Sequence, residues 1–163
     1  MKLFSRPKLQ DKVITYGVVL YWLLFWFFNV VDKFIATETF LWVGKDRMAQ
    51  FLEYFSSVGI DNPLVAKGFL LLVTILQMLA FLFLLATLWQ LFFGKKKKAD
   101  DYFFWGTFFG LAIFSLFAMG DQIFGDRFEL LEHTIYWISL IVSYGAYKYL
   151  PRGTKLQWID LSG

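Results

Sequence analysis

The sequence predicts an all-α integral membrane protein, a four-transmembrane-helix bundle with both termini cytoplasmic and a short amphipathic helix in the first outer loop. Hydrophobic residues make up 58% of the 163 residues and charged residues only 18%, whereas soluble domains average roughly 45–50% and about 25%. A soluble domain of this size cannot bury so much apolar surface, because small domains keep much of their surface exposed. We therefore expect residues 1–163 to form a single transmembrane domain.

Four apolar runs supply the predicted spans. Residues 13–31 carry no charge, and this length crosses about 30 Å of hydrocarbon at about 1.5 Å per residue. The run exceeds the roughly 7–15 residues of a secretory signal core, which favours a retained span. The other predicted spans are residues 68–93, 102–119 and 133–150. The fourth is the least apolar, and its Ser139, Ser143 and Gly145 favour packing against neighbouring helices over contact with lipid.

The distribution of charge predicts the orientation of these spans. Four Lys/Arg residues precede the first span, four lie in the loop GKKKKADD, and Lys148, Arg152 and Lys155 close the chain, whereas nine of the thirteen acids lie on the opposite side. By the positive-inside rule, both termini and the lysine loop are cytoplasmic. Four crossings with both termini inside are self-consistent, and the layout predicts a multi-pass protein of a prokaryotic cytoplasmic membrane.

The long segment between the first two spans contains a helical pattern. Met48, Phe51, Leu52, Phe55 and Val58 recur at helical spacing and leave the polar residues of the segment on the opposite face. Such a stripe predicts an amphipathic helix over about residues 46–58. At membrane level, this helix is expected to lie in the outer interface or over the bundle.

The segment from Gly120 to Trp137, GDQIFGDRFELLEHTIYW, holds the only histidine of the chain and four of its acids. Asp126 and Glu129 form a D-x-x-E pattern that satisfies free backbone N–H groups at a helix start. Acids in the first turns also suit the helix dipole. The pattern predicts a helix from near Arg127, with Glu129 and His133 on one face.

Several interpretations of this outer cluster remain open. Asp126, Glu129 and His133 could bind a metal, for which three protein ligands are the usual minimum, and His133 could be a single axial ligand of a haem or chlorophyll. Alternatively, His133 and the carboxylates at the membrane boundary could supply hydrogen-bond and proton partners for a quinone head group. These carboxylates are Glu129, Glu132, Asp32 and Asp121. The simplest alternative is that the residues cap helices and face solvent.

Few polar groups fall inside the predicted spans. Gln77, Thr74 and Asn29 are candidates for intramembrane polar contacts, with Asn29 a candidate partner for Gln77. Gly106 and Gly110 form a GxxxG pattern, which permits close approach of helices. The absence of cysteine excludes disulfides, thiol catalysis and iron–sulfur ligation. The chain shows no glycine-rich phosphate loop, no serine–histidine–aspartate set and no charge within the interiors of the spans, which argues against an ion pump or channel.

The layout resembles the DoxX-like family of four-span membrane proteins, which includes the small subunit of thiosulfate:quinone oxidoreductase. The matching features extend over about Ile14 to Tyr149: Lys33 after the first span, Phe51 and Phe55 in the amphipathic segment, the turn at Gly59 and Pro63, and the entry to the second span at Lys67–Gly68. The chain departs from the family where Asn29 to Asp32 replace a glycine before the lysine. It also has Gln77 where family members often carry a glutamate.

The resemblance implies a quinone-linked or redox-complex accessory protein. We therefore expect a non-catalytic accessory or anchor subunit of a larger membrane complex, of redox or electron-transfer type, that contributes helix packing and part of a quinone-binding surface. Its expected partners are other membrane subunits, lipid and quinone, with no nucleic acid. The alternatives are a stand-alone quinone-interacting oxidoreductase component and an outer-face metal-binding membrane protein.

Overall fold

A computed structural model describes residues 7–35 and 46–149. Five α-helices account for nearly all of this part of the chain: α1 (Pro7–Ile35), α2 (Arg47–Ser57), α3 (Pro63–Phe93), α4 (Lys96–Phe124) and α5 (Arg127–Tyr149). The described residues contain no strand, so the predicted all-helical class is confirmed. The predictions for the two termini, and for the end of the fourth span at residue 150, lie outside the described residues.

Three of the helices are long and apolar enough to cross a membrane: Gln10–Phe34, Pro63–Phe93 and Lys96–Phe124. These segments identify a membrane protein. Helix α5 has 23 residues, or about 35 Å at roughly 1.5 Å per residue, but is not apolar enough to be counted with them. A fourth crossing therefore stays a prediction. All four long helices begin before the predicted spans. The predicted spans include only the apolar residues, whereas helical hydrogen bonding also continues through the polar residues that precede them.

The four long helices pack side by side around an aromatic core. Helix α3 packs along α4 and α1, α5 packs along α4, and the seam between α1 and α5 is narrower. Trp22 and Trp26 of α1 and Phe114 of α4 are almost completely buried, with the Trp26 and Phe114 ring centroids 5.2 Å apart. The short helix α2 lies against α3 and touches α4. The core thus depends on ring packing between α1 and α4.

Local sequence determines where the helices begin and turn at the α2 end of the bundle. The Asp46 carboxylate accepts two backbone N–H groups at the start of α2, and Asn62 caps α3 with Pro63 at its first position. Gly125 has φ of 79°, a left-handed conformation that glycine adopts without strain. This residue reverses the chain between α4 and α5, so the two helices become antiparallel neighbours.

The two glycines of the GxxxG pattern serve different interfaces. A Cβ atom on Gly106 would lie 3.0 Å from Leu84 Cγ of α3. A Cβ atom on Gly110 would lie 2.7 Å from Leu140 Cδ2 of α5 and 3.2 Å from the Trp26 ring of α1. Gly106 therefore permits the approach of α3 to α4, and Gly110 permits the approach of both α1 and α5.

Replacing Gly110 with leucine should loosen the bundle. The new side chain would have to displace Leu140 and the Trp26 ring, and overpacking of this kind typically costs about 1–3 kcal/mol. We expect Gly110→Leu to lower the midpoint of thermal unfolding in detergent. The matched control is Gly17→Leu, since a Cβ at Gly17 of α1 would meet nothing within 4 Å. Equal midpoints for the two variants would contradict the tight approach at Gly110.

Candidate functional site

A buried ion pair closes the last turn of α1. The side chains of Asp32 and Lys33 are only 9% and 7% exposed, and Lys33 Nζ lies 3.1 Å from Asp32 Oδ1. Lys33 Nζ also donates to the backbone carbonyl of Asn29 at 2.7 Å. The second oxygen of Asp32, Oδ2, lies 3.7 Å from Arg47 Nε at the start of α2. The carboxylate of Asp32 thus joins α1 to α2, and removal of either cation would leave a buried charge less compensated.

The hydroxyl of Tyr54 connects α2 to the start of α5. It lies 2.9 Å from Asp126 Oδ2 and 3.0 Å from Glu129 Oε2, so the two carboxylates share one donor. Gln50 Nε2 donates to both Tyr54 Oη and Glu129 Oε1, each at 2.9 Å. Arg47 donates in turn to Gln50 Oε1 at 3.0 Å. A continuous polar network therefore runs from Asp32 through α2 to the first turn of α5.

The environment of Tyr54 keeps its hydroxyl protonated. Burial, followed by the hydrogen bond to Asp126, raises the pKa of the Tyr54 hydroxyl well above its usual value, although the hydrogen bond from Gln50 opposes the shift. The ring stacks on Phe124 at the end of α4, with centroids 5.0 Å apart and an interplanar angle of 13°. Tyr54 is thus held as a hydrogen-bond donor at all physiological pH values.

Asp126 has two roles at the junction of α4 and α5. Its Oδ1 accepts the backbone N–H of Glu129 at 3.0 Å, the geometry expected of the D-x-x-E pattern. Its Oδ2 accepts from Tyr54, as above. The residue that begins α5 therefore also fixes that helix against α2.

The only histidine forms a pair with an acid of α4. His133 Nδ1 lies 2.6 Å from Asp121 Oδ2, and the two side chains are 17% and 5% exposed. The ring of Phe117 lies 4.7 Å from the imidazole, centroid to centroid. A carboxylate at this distance fixes the orientation and tautomer of the ring, and the charge on the carboxylate strengthens the bond. Within the described residues, Nε2 has no hydrogen-bond partner, so this ring nitrogen is left for a ligand.

The sequence-predicted outer residues fall into three groups. Asp32 belongs to the α1–α2 ion pair, Glu129 to the Tyr54 network and His133 to the pair with Asp121. Glu132 is exposed on α5. Asp32 and Glu129 are therefore linked through Arg47 and Gln50 of α2, whereas the partner of His133 is Asp121 of α4.

The sequence did not reveal the partners that organise this end. The sequence places Gln50 and Tyr54 on the face of α2 opposite the apolar stripe. It does not show which polar groups of other helices this face contacts. The pairing of Asp121 with His133 follows from the reversal at Gly125, which sets α4 beside α5. No helical spacing relates these two residues, so only the packing of the two helices could predict the contact.

The predicted metal triad is divided between these partners. Asp126 and Glu129 converge on the Tyr54 hydroxyl, and His133 Nδ1 is engaged by Asp121. In the part of the chain that the structure describes, no group of three or more histidine or acidic residues is arranged to hold a metal ion. Axial ligation of a haem or chlorophyll by His133 stays a prediction.

Within the described residues, no hydrogen bond joins Asn29 to Gln77, its candidate partner. Asn29 Nδ2 donates to the backbone carbonyl of Phe25 in its own helix at 2.8 Å, and Thr74 Oγ1 donates likewise to Leu70 at 2.7 Å. Each side chain is satisfied locally because it reaches the carbonyl one turn earlier. Gln77 is 1% exposed, and its Oε1 has no partner among the described residues.

Comparisons with known proteins add no relative. The chain matches no model of a known protein family, no curated protein and no solved structure. The candidate site is therefore interpreted from its own geometry.

Removal of the Tyr54 hydroxyl should detach α2 from α5. Tyr54→Phe keeps the ring stacked on Phe124 but removes the donor shared by Asp126 and Glu129. A hydrogen bond to a charged group contributes about 1.5–3 kcal/mol, and the part-buried position of these carboxylates places the loss at the lower end of this range. We expect a lower midpoint of thermal unfolding and faster hydrogen exchange of the α2 amides.

The matched control for this experiment is Glu53→Gln, a neighbouring change on α2 for which no contact with Asp126 or Glu129 is observed. If Tyr54→Phe leaves α2 exchange at the wild-type rate, the Tyr54 hydroxyl does not hold α2 in place.

The tautomer of His133 should report the pair with Asp121. Since His133 is the only histidine, its ring nitrogens give unambiguous ¹⁵N NMR signals. At a pH where imidazole is neutral, we expect the proton on Nδ1, where the Asp121 carboxylate accepts it. Asp121→Asn should shift the population towards the Nε2–H form, because an amide can donate to Nδ1. An Nε2–H tautomer in the wild-type protein would contradict the observed pairing.

Proposed function

We propose that this chain is an accessory or anchor subunit of a larger membrane complex of redox or electron-transfer type, and that it contributes part of a quinone-binding surface near His133. In this proposal α1, α3, α4 and α5 all cross the membrane, α2 lies at the outer interface, and both termini are cytoplasmic. The distribution of lysine, arginine and acidic residues supports this orientation.

The observation that carries the proposal is the outward face of α5. Its members are apolar and more than half exposed: Phe128, Leu131, Ile135, Ile138, Val142 and Tyr149. From Phe128 to Val142 they follow one another at spacings of three and four residues, and Tyr149 comes seven residues later, the heptad pattern by which one helix packs along another. On the opposite face of α5, Leu140 and Tyr147 are buried inside the bundle. A partner helix docked along this stripe would shield a helix that is less apolar than its neighbours.

The pair of Asp121 and His133 supports the quinone part of the proposal. A quinone head group needs hydrogen-bond partners and a proton acceptor at the membrane boundary, and imidazole can supply both. Phe117 and Phe114 flank the imidazole ring, with centroid distances of 4.7 and 6.5 Å. The head group would meet Nε2, while Asp121 holds Nδ1. Because the chain contains no cysteine, iron–sulfur centres would belong to other subunits. The resemblance to the DoxX-like family agrees with this proposal.

Blocking the α5 stripe should release the partner. Ile138→Trp places a bulky side chain in the middle of the stripe, and Ile75→Trp is the control on α3; the two isoleucines are 52% and 49% exposed. We expect subunits that co-purify with the wild-type chain in mild detergent to be lost from Ile138→Trp and retained by Ile75→Trp. A wild-type chain that purifies as a stable monomer without partners would contradict the proposal.

A second candidate function is a stand-alone quinone-interacting oxidoreductase component, favoured by the accessible edge of His133. In that case the purified chain alone supports quinone-dependent turnover, and His133→Ala abolishes it without loss of the helical fold. Glu129→Gln distinguishes the two sites at this end, since it alters the Tyr54 network while leaving the pair of Asp121 and His133. Unchanged turnover in His133→Ala would rule out the second candidate.

The metal-binding alternative has its own test. It would be supported by stoichiometric metal in elemental analysis of the purified chain.

A further inference from the structure

An apolar groove lies where α3 ends and α4 begins, at the opposite end of the bundle from His133. Its volume is about 480 Å³, within the roughly 300–1,000 Å³ of pockets that hold small ligands. Leu85, Trp89, Phe92 and Phe93 of α3 and Tyr102 of α4 are among the residues that line it. The side chains of Trp89, Phe92 and Phe93 are 62%, 60% and 74% exposed. The groove therefore opens outward from the bundle.

Four lysines follow the groove directly in the chain. Lys95 to Lys98 are all exposed, and within the described residues none of the four has an ion pair. Of the two acids that follow, Asp100 is bound by the Tyr147 hydroxyl at 3.0 Å and lies 3.7 Å from Lys148 Nζ. Only Asp101 is exposed nearby. The segment that follows the groove in the chain thus carries a net positive charge.

We propose that this groove and the lysines form a binding site for one anionic phospholipid, with an acyl chain along the groove and the head-group phosphate at Lys95–Lys98. Clusters of lysine at a membrane surface attract anionic lipid, and the groove adds an apolar channel that ends beside the charges. Trp89 and Tyr102 suit the head-group boundary, where amphipathic rings concentrate. The charge complementarity selects the lipid class, and the apolar walls select a lipid over a free phosphate. This inference does not depend on the proposed function.

The charged half of the site is tested by native mass spectrometry of the full chain in detergent containing equal amounts of phosphatidylglycerol and phosphatidylcholine. We expect the wild-type protein to retain one phosphatidylglycerol in preference to phosphatidylcholine. The double variant Lys96→Gln/Lys97→Gln should bind phosphatidylglycerol roughly ten- to thirtyfold more weakly, the effect expected of two surface lysines. The control Lys12→Gln/Lys67→Gln removes the same charge at two exposed lysines outside the loop and should retain the lipid.

The apolar half is tested by filling the groove. Ala86→Phe adds a ring to one of the lining residues, whereas Ile75→Phe places the same ring on α3 away from the groove. We expect Ala86→Phe to lose the retained lipid and Ile75→Phe to keep it, with unchanged helicity by circular dichroism in both. Millimolar inorganic phosphate should not displace the lipid.

Three results would overturn the proposal: equal retention of both phospholipids by the wild-type chain, equal loss in the two lysine double variants, or equal retention by Ala86→Phe and Ile75→Phe. Each of these outcomes would mean that lipid binding does not require this groove together with its lysines.

Discussion

The shared hydrogen bond of Tyr54 with Asp126 and Glu129 organises the end of the bundle at which the candidate site lies. Helix α2 is short and lies outside the long helices, so its position depends on contacts with them. Tyr54 provides the polar contact with α5, and Phe55 provides an apolar contact with α4, since its ring centroid lies 5.5 Å from that of Phe124. Once α2 is held there, Arg47 reaches Asp32 at the end of α1. A single hydroxyl thus connects helices that are distant in the sequence.

Solvation explains why the polar chemistry gathers at this end. Polar groups that enter hydrocarbon need partners within the protein, and some polar side chains of the long helices meet this need locally, as Thr74 and Asn29 do. The exceptions lie in the core, where the indole N–H groups of Trp22 and Trp26 have no partner among the described residues. Most charged groups that pair across helices occur where α1, α4 and α5 meet α2, although Lys148 of α5 also pairs with Asp100 of α4 at the opposite end. The Asp121–His133 pair has the one imidazole edge available to a ligand.

The sequence predicted those features that depend on local patterns. The all-helical class follows from long apolar runs, and the start of α5 follows from the D-x-x-E cap, in which Asp126 accepts from Glu129. A helix covers Arg47–Ser57, where the apolar stripe predicted one over about residues 46–58. Contacts between helices could not be predicted from these local patterns. The pairing of Asp121 with His133 and the reach of Tyr54 to α5 depend on the rotation of each helix about its axis, which local patterns do not determine.

The GxxxG pattern shows how a local motif acquires meaning from packing. The spacing predicted close approach of one helix, yet Gly106 faces α3 whereas Gly110 faces α1 and α5. The same limit applies to Asn29 and Gln77, which the sequence suggested as partners. Their depth in two neighbouring spans is compatible with a contact. However, the Asn29 amide donates its hydrogen bond to the backbone carbonyl of Phe25 in the same helix. Tertiary packing therefore decides the roles of Gly106 and Gly110, whereas a hydrogen bond within α1 decides that of Asn29.

The topology of the chain is tested most directly by labelling single cysteines in intact cells with a membrane-impermeant maleimide, since the chain contains no cysteine of its own. Ser57→Cys should label from outside, and Asp101→Cys should label only after permeabilisation. The decisive position is Thr154→Cys, beyond α5. Four crossings require it to label only after permeabilisation, whereas labelling from outside would mean that α5 does not cross and that the bundle spans the membrane three times.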